Sequence, residues 1–123
     1  MMHEVVIGMG SNINAEINFA SALFFLKEEH ELMAVSNPMR TAPIGIKEQP
    51  DFLNAAAKVK TDLSPDEFRA YLKGLEDRLK RDRQAPKYGP RTIDLDIIVW
   101  DGQIIDNDYF ERDFVKTVVD EIL

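Results

Sequence analysis

Between Tyr88 and Trp100 the chain reads YGPRTIDLDIIVW, and this run constrains the fold more than any other stretch. From Ile93 onward apolar and acidic residues alternate, the period of a strand with one face in a core. Successive side chains on a strand point to opposite faces, so Asp94 and Asp96 share one face, less than about 7 Å apart. Ile93, Leu95, Ile97 and Val99 form the apolar face. Two neighbouring carboxylates are costly to bury without partners, so the acidic face is expected to be open or occupied by cations. Carboxylates on a rigid strand suit Mg²⁺, which accepts one or two of them and completes its shell with water and phosphate. The plainer alternative is a solvated strand face with Arg91 paired to an aspartate.

The remaining elements follow from periodicity and punctuation. Glu4 to Met9 is a β-branched strand closed by Gly8 and Gly10. Asn14 to Glu29 is a helix with Asn14 as N-cap and Ile17, Ala20, Leu23 and Phe24 at helical spacing. Glu31 to about Met39 is extended, with Pro38 pointing to a sheet edge. Thr41 to Pro50 is a loop, and Phe52 to Lys60 a third strand. Ser64-Pro65-Asp66-Glu67 opens a helix with a capping box, an early proline and acidic residues where the dipole favours them. Its stripe is Phe68, Tyr71, Leu72, Leu75 and Leu79. After the loop from Gln84 to Pro90 come strand four, Ile93 to Trp100, a turn at Asp101-Gly102, and a short strand from Gln103 to Ile105. Phe110, Phe114, Val118 and Ile122 mark a closing helix.

The order is βαββαβ with an added strand and helix. This is the ferredoxin-like α+β arrangement, an antiparallel sheet with helices on one face. Asp94 and Asp96 are then expected on the face without helices, under the loops at 41–50 and 82–90. At 123 residues, 45% hydrophobic, the chain suits one domain, 1–123.

Composition excludes several functions. Without cysteine there is no disulfide, thiolate metal site or cysteine nucleophile. The start, MMHEVVIGMG, has no basic n-region and reads as a strand rather than a signal peptide. No apolar run approaches membrane-spanning length, so a cytoplasmic, soluble protein is expected. A net charge of −7 argues against general binding to nucleic acid or anionic membrane. Yet seven of the fifteen basic residues lie between Lys73 and Arg91, so anion-binding groups lead straight into the Asp94/Asp96 strand. His3 and His30 lack metal-ligand spacing and read as surface residues. Trp100 reads as sheet packing, and Arg78 and Lys80 as a solvated helix face. No GxxxxGK[ST] loop is present, so a nucleotide would have to be held by arginines and metals.

Three segments together resemble the 6-hydroxymethyl-7,8-dihydropterin pyrophosphokinase family. Gly10-Ser11-Asn12 is similar to its motif after strand one. Arg40 to Gly45 with Gln49 to Ala55 resembles its pterin-binding loop and strand, and Gly89 to Ile97 its defining motif. The resemblance implies transfer of diphosphate from ATP to the pterin hydroxymethyl group, releasing AMP, in folate biosynthesis with two Mg²⁺ ions. It places the metals on Asp94 and Asp96, and the catalytic set as Arg81, Arg91, Asp94 and Asp96. Thr41, Pro43, Ile44, Phe52, Asn54 and Phe114 are implied for the pterin, with the two phenylalanines sandwiching the ring. Glu76, Arg83, Tyr88, Arg91, Ile97 and Arg112 are implied for ATP, with Arg81 and Arg83 closing over it. The implied protein is a monomer acting on small molecules.

Ala42 replaces a family proline, and Tyr88 stands where many members carry tryptophan. After Ile105, Asp106 to Glu111 replaces a longer segment containing a proline-histidine pair. A shortened paralogue that binds a pterin without efficient transfer is the alternative reading. An RNA-binding ferredoxin-like module would want exposed aromatics and a basic sheet face, against the acidic pair here.

Overall fold

The structure, a computed structural model, describes residues 1–81, 84 and 89–123. The strands are β1 (His3–Ser11), β2 (Glu31–Val35), β3 (Met39–Thr41), β4 (Phe52–Thr61), β5 (Asp94–Trp100) and β6 (Gln103–Ile104). The helices are α1 (Ala15–Glu29), α2 (Pro65–Arg78), α3 (Asp108–Glu111) and α4 (Asp113–Ile122). Every strand pairing is antiparallel, in the order β2-β4-β1-β5-β6, with β3 beside β4 further along. This is the ferredoxin-like α+β fold, with the expected second strand divided. Ser36, buried between the two halves, donates its backbone N–H to the Ala56 carbonyl and accepts from the Ala56 N–H, each at 2.8 Å. Pro38 interrupts the donors that a continuous edge strand would need.

One face of the sheet is the main core. Val5, Ile7, Met9, Ala55, Ala57, Val59, Ile93, Leu95 and Ile97 meet Phe19, Ala22 and Leu26 of α1 and Phe68, Leu72 and Leu75 of α2. The α1 face differs from the expected stripe. Ile17 and Phe24 are exposed, because this helix is apolar on two sides and periodicity alone does not choose between them. Asn14 holds the N-cap position in a left-handed conformation and makes no side-chain capping bond.

α2 begins as expected. Ser64 Oγ accepts from the Glu67 N–H at 3.2 Å and Glu67 Oε1 from the Ser64 N–H at 2.9 Å. Ser64→Ala is expected to cost about 1 kcal/mol, read as a lowered urea midpoint at unchanged m-value; no change in midpoint would show that the cap is redundant.

The opposite face is where expectation and structure part. β5 carries an extra residue, so Val6 pairs with Val99 while Ile7 pairs with Ile97. The bulge at Ile98 reverses the alternation. Val99 therefore joins Ile98, Val6 and Ala56 in a second cluster, covered by Val118 and Val119 of α4 and by Tyr109. The face of Asp94 and Asp96 thus carries a helix over its lower half and is open only above. Phe110 stays exposed, because Arg112 is extended (φ −121°, ψ 107°) and separates α3 from α4. Neither histidine is a bare surface residue. His3 Nδ1 lies 2.6 Å from Asp101 Oδ2 with its ring 5.1 Å from Trp100, and His30 packs edge-on to Phe68 and Tyr71. No helix among the described residues is long and apolar enough to cross a membrane.

Candidate active site

The uncovered half of that face forms a cleft of about 590 Å³, within the range of small-ligand sites. Its floor is β1 and β5. Gly8 pairs with Asp96 and Gly10 with Asp94, so two bare positions lie beside two carboxylates. A Cβ on Gly10 would stand 3.4 Å from Asn54 Oδ1 and fill the space between amide and acid. Glycines two apart on β1 leave bare backbone beside the carboxylates, with Ile98 packed over Gly8. In the sequence Gly8 and Gly10 mark the end of β1, and their period of two is the signal that places both on one face.

Asn12 ties the rim together. It is 6% exposed, and its Nδ2 donates to Gln49 Oε1 at 2.8 Å and to the Pro50 carbonyl at 3.0 Å. Its Oδ1 accepts the Arg91 N–H at 2.9 Å, and its own N–H reaches the Arg91 carbonyl at 3.1 Å. The Gly10-Ser11-Asn12 turn therefore binds the loop before β4 to the segment before β5, both flanking the cleft. No sequence pattern showed that this residue would bridge them.

The cleft has two chemical ends. At one, Asp94 Oδ1 accepts from Arg81 Nη1 at 2.9 Å and lies 3.4 Å from Arg91 Nη1. Glu76, 3% exposed on the inner face of α2, accepts from Arg81 at 3.0 Å and from the Leu95 N–H at 2.8 Å. Asp96 opens into the cleft, and among the described residues no donor or cation reaches it. Confinement by the surrounding walls is the first cause that raises its pKa to about 7, followed by repulsion from Asp94, Asp106, Glu76 and Asp108. Burial and Asp106 likewise hold Asp108 above the usual carboxylate range, against the pull of Arg112.

At the other end, Asn54 Nδ2 donates to Thr41 Oγ1 at 2.7 Å and to the Met39 carbonyl at 3.3 Å. With its amino group held by β3, the amide presents Oδ1 towards the floor. Phe52 and Thr41, paired across β3 and β4, flank Asn54, and Ile44 and Phe114 from α4 also line the cleft.

Of the residues singled out in the sequence, Arg81, Arg91, Asp94, Asp96, Glu76, Ile97 and Arg112 line the cleft, as do Thr41, Ile44, Phe52, Asn54 and Phe114. Pro43, half-buried in the same loop, is not on the wall. Arg83 and Tyr88 lie outside the described residues. The segment that replaces the histidine pair contributes Asp106 and Asp108. Lys73 of α2 also reaches the wall, a residue that had appeared only as part of a basic run.

Among the described residues no three His, Cys, Asp or Glu side chains converge as a metal cage. Two carboxylates on one strand face nonetheless suit a magnesium–nucleotide, whose remaining ligands are phosphate and water. The strongly anionic setting of Asp96 is the electrostatic complement of a divalent ion.

Fold and cleft together define a ferredoxin-like α+β domain whose small-ligand cleft sets strand carboxylates beside guanidinium groups. The family profile described as 7,8-dihydro-6-hydroxymethylpterin-pyrophosphokinase (HPPK) matches residues 6–123, and the chain belongs to that family. It is 34% identical over 128 residues to the 2-amino-4-hydroxy-6-hydroxymethyldihydropteridine pyrophosphokinase of Haemophilus influenzae, covering 94% of this chain and 79% of that protein. Against the Bacillus subtilis protein of the same name the identity is 32%, covering 94% and 75%. A mitochondrial folate synthesis bifunctional protein of Arabidopsis thaliana is 37% identical over 98% of this chain, which spans only 24% of that longer protein.

Proposed function

We propose that this chain transfers the diphosphoryl group of ATP to the hydroxymethyl oxygen of 6-hydroxymethyl-7,8-dihydropterin, releasing AMP, as a step of folate biosynthesis. The observation that carries this is the two-ended cleft. Carboxylates and guanidinium groups sit at one end, and an amide with two aromatic rings at the other.

The hydroxymethyl oxygen attacks the β-phosphorus. The bond from that phosphorus to the α,β-bridging oxygen breaks, AMP leaves with that oxygen, and the hydroxyl proton passes to solvent water. Arg91, fixed by Asn12 through its backbone, and Arg81 bind the negative oxygens of the triphosphate, with Arg83 assigned beside them. Positioning and charge stabilisation carry most phosphoryl transfer, so no strong general base is required. Asp94 and Asp96 are the residues that would hold two Mg²⁺ ions. Magnesium bound there supplies positive charge against the transferring phosphates. Glu76, Tyr88, Ile97 and Arg112 are assigned to the nucleotide side.

For the pterin, Asn54 Oδ1 accepts from the donor edge of the heterocycle, and Phe52 and Phe114 stack on its faces. Thr41 holds the amide in that orientation, and Pro43 and Ile44 belong to the loop alongside. Residues 1–123 are read as one domain, acting as a cytoplasmic monomer on small molecules and not on nucleic acid.

Incubation with ATP, Mg²⁺ and the hydroxymethyl-dihydropterin is expected to yield AMP; formation of ADP, or no nucleotide product, would reject the assignment. Asn54→Ala is expected to weaken pterin binding roughly tenfold, the loss of one buried hydrogen bond and its support. Fluorescence titration with the pterin measures it, and an unchanged affinity would remove Asn54 from the site.

A further inference from the structure

A single guanidinium nitrogen links the scaffold to the chemistry. Arg81 Nη1 donates to Glu76 Oε2 at 3.0 Å and to Asp94 Oδ1 at 2.9 Å. The two acceptors are not equivalent. The Glu76 side chain is 4% exposed, and the same Oε2 also receives the Leu95 N–H of β5, so it is anchored between α2 and the sheet. The Asp94 side chain is 31% exposed and faces the cleft. Asp94 Oδ1 is therefore paired with two cations, Arg81 at 2.9 Å and Arg91 at 3.4 Å. A divalent cation approaching that oxygen competes with a charge-assisted hydrogen bond.

We propose that Arg81 is an exchangeable counter-ion for Asp94, and that Glu76 is the positioning residue that retains Arg81 at the cleft during the exchange. This rests on the pyrophosphokinase reading. When a polyphosphate enters, the guanidinium trades Asp94 for phosphate oxygens, and Asp94 becomes available to the accompanying cation. Glu76 keeps its bond to Leu95 throughout, so Arg81 turns about a fixed point instead of leaving for solvent. Cation and nucleotide then promote one another's binding, a coupling that is reciprocal by linkage. The ligand-free protein is correspondingly protected against holding a cation at Asp94 without its nucleotide.

The test is the binding of Mn²⁺, in place of Mg²⁺, to nucleotide-free protein, followed by electron paramagnetic resonance. Arg81→Ala is expected to bind Mn²⁺ roughly tenfold more tightly than wild type, since one competing charge-assisted bond is removed. Arg81→Lys, which keeps the competing charge, is expected to stay near wild type. Glu76→Gln preserves an acceptor for the Leu95 N–H but removes the charge that strengthens its hold on Arg81. The guanidinium then favours Asp94, the remaining charged partner, and Mn²⁺ binding is expected to weaken. Adding α,β-methylene-ATP is expected to abolish the advantage of Arg81→Ala. An Arg81→Ala protein that binds Mn²⁺ no more tightly than wild type, or an Arg81→Lys protein that binds it as tightly as Arg81→Ala, would overturn the exchange. The wild-type AMP assay is independent of both: AMP formed alongside unchanged Mn²⁺ affinity rejects the exchange alone, whereas absence of AMP rejects the pyrophosphokinase reading itself.

Discussion

Asp94→Ala lowers AMP formation on the order of 10³-fold while leaving pterin affinity within about twofold, the expected result of removing a metal-holding group from the phosphate end. Both parts follow from the geometry. Asp94 Oδ1 is the meeting point of Arg81 and Arg91, so its loss removes the proposed cation ligand and also the shared partner of the two guanidinium groups. The end proposed for the pterin is built from other elements: Asn54 and Phe52 from β4, Thr41 from β3 and Phe114 from α4. Single-turnover assays for AMP together with a pterin titration separate the two effects. Loss of pterin binding with retained turnover would contradict the assignment of ends outright.

Asp96→Asn is expected to stabilise the ligand-free protein at pH 8 and to lower AMP formation about 100-fold. Asp96 has its pKa raised from 3.8 to about 7 by confinement and by the surrounding carboxylates. A carboxyl that holds its proton more tightly when folded contributes stability fully present below about pH 4, and that contribution is lost as pH rises through about 7. At pH 8 the charged aspartate is a liability that asparagine removes without changing shape. Because Asp96 opens to solvent and its repulsion is screened, the gain is of order 1 kcal/mol, or about 4 °C in melting temperature. At pH 4 the two proteins should melt together. Thermal melts at both pH values without Mg²⁺ or nucleotide decide it; an equal shift at both would assign the effect to packing. Gain in stability with loss of chemistry is the pattern of a site that keeps like charges together for function.

These two carboxylates show how far residue order carries. Alternation over Ile93–Ile97 set Asp94 and Asp96 on one face, because strand geometry is local. The capping box before α2 was legible for the same reason: Ser64 and Glu67 satisfy each other within one turn. The ordered motifs brought Asn54, Phe52, Arg81 and Arg91 forward as site residues, and all four line one cleft. By contrast, the choice of α1's inner face, the reversal at Ile98 and the cover of α4 each depend on what packs opposite, and no local period encodes that.

From the sequence alone came most of the strands, the main helices, the ferredoxin-like order and most of the residues that line the cleft. Only the tertiary structure decided that Asn12 would join the two rim segments, that Glu76 would be buried as the anchor of Arg81, and that paired glycines would form the floor. The physical reason is sequence distance. Asn12 and Arg91 are 79 residues apart, and Glu76 and Leu95 are 19 apart. Such hydrogen bonds exist only once β1, β4 and β5 have paired and α2 has docked on the sheet.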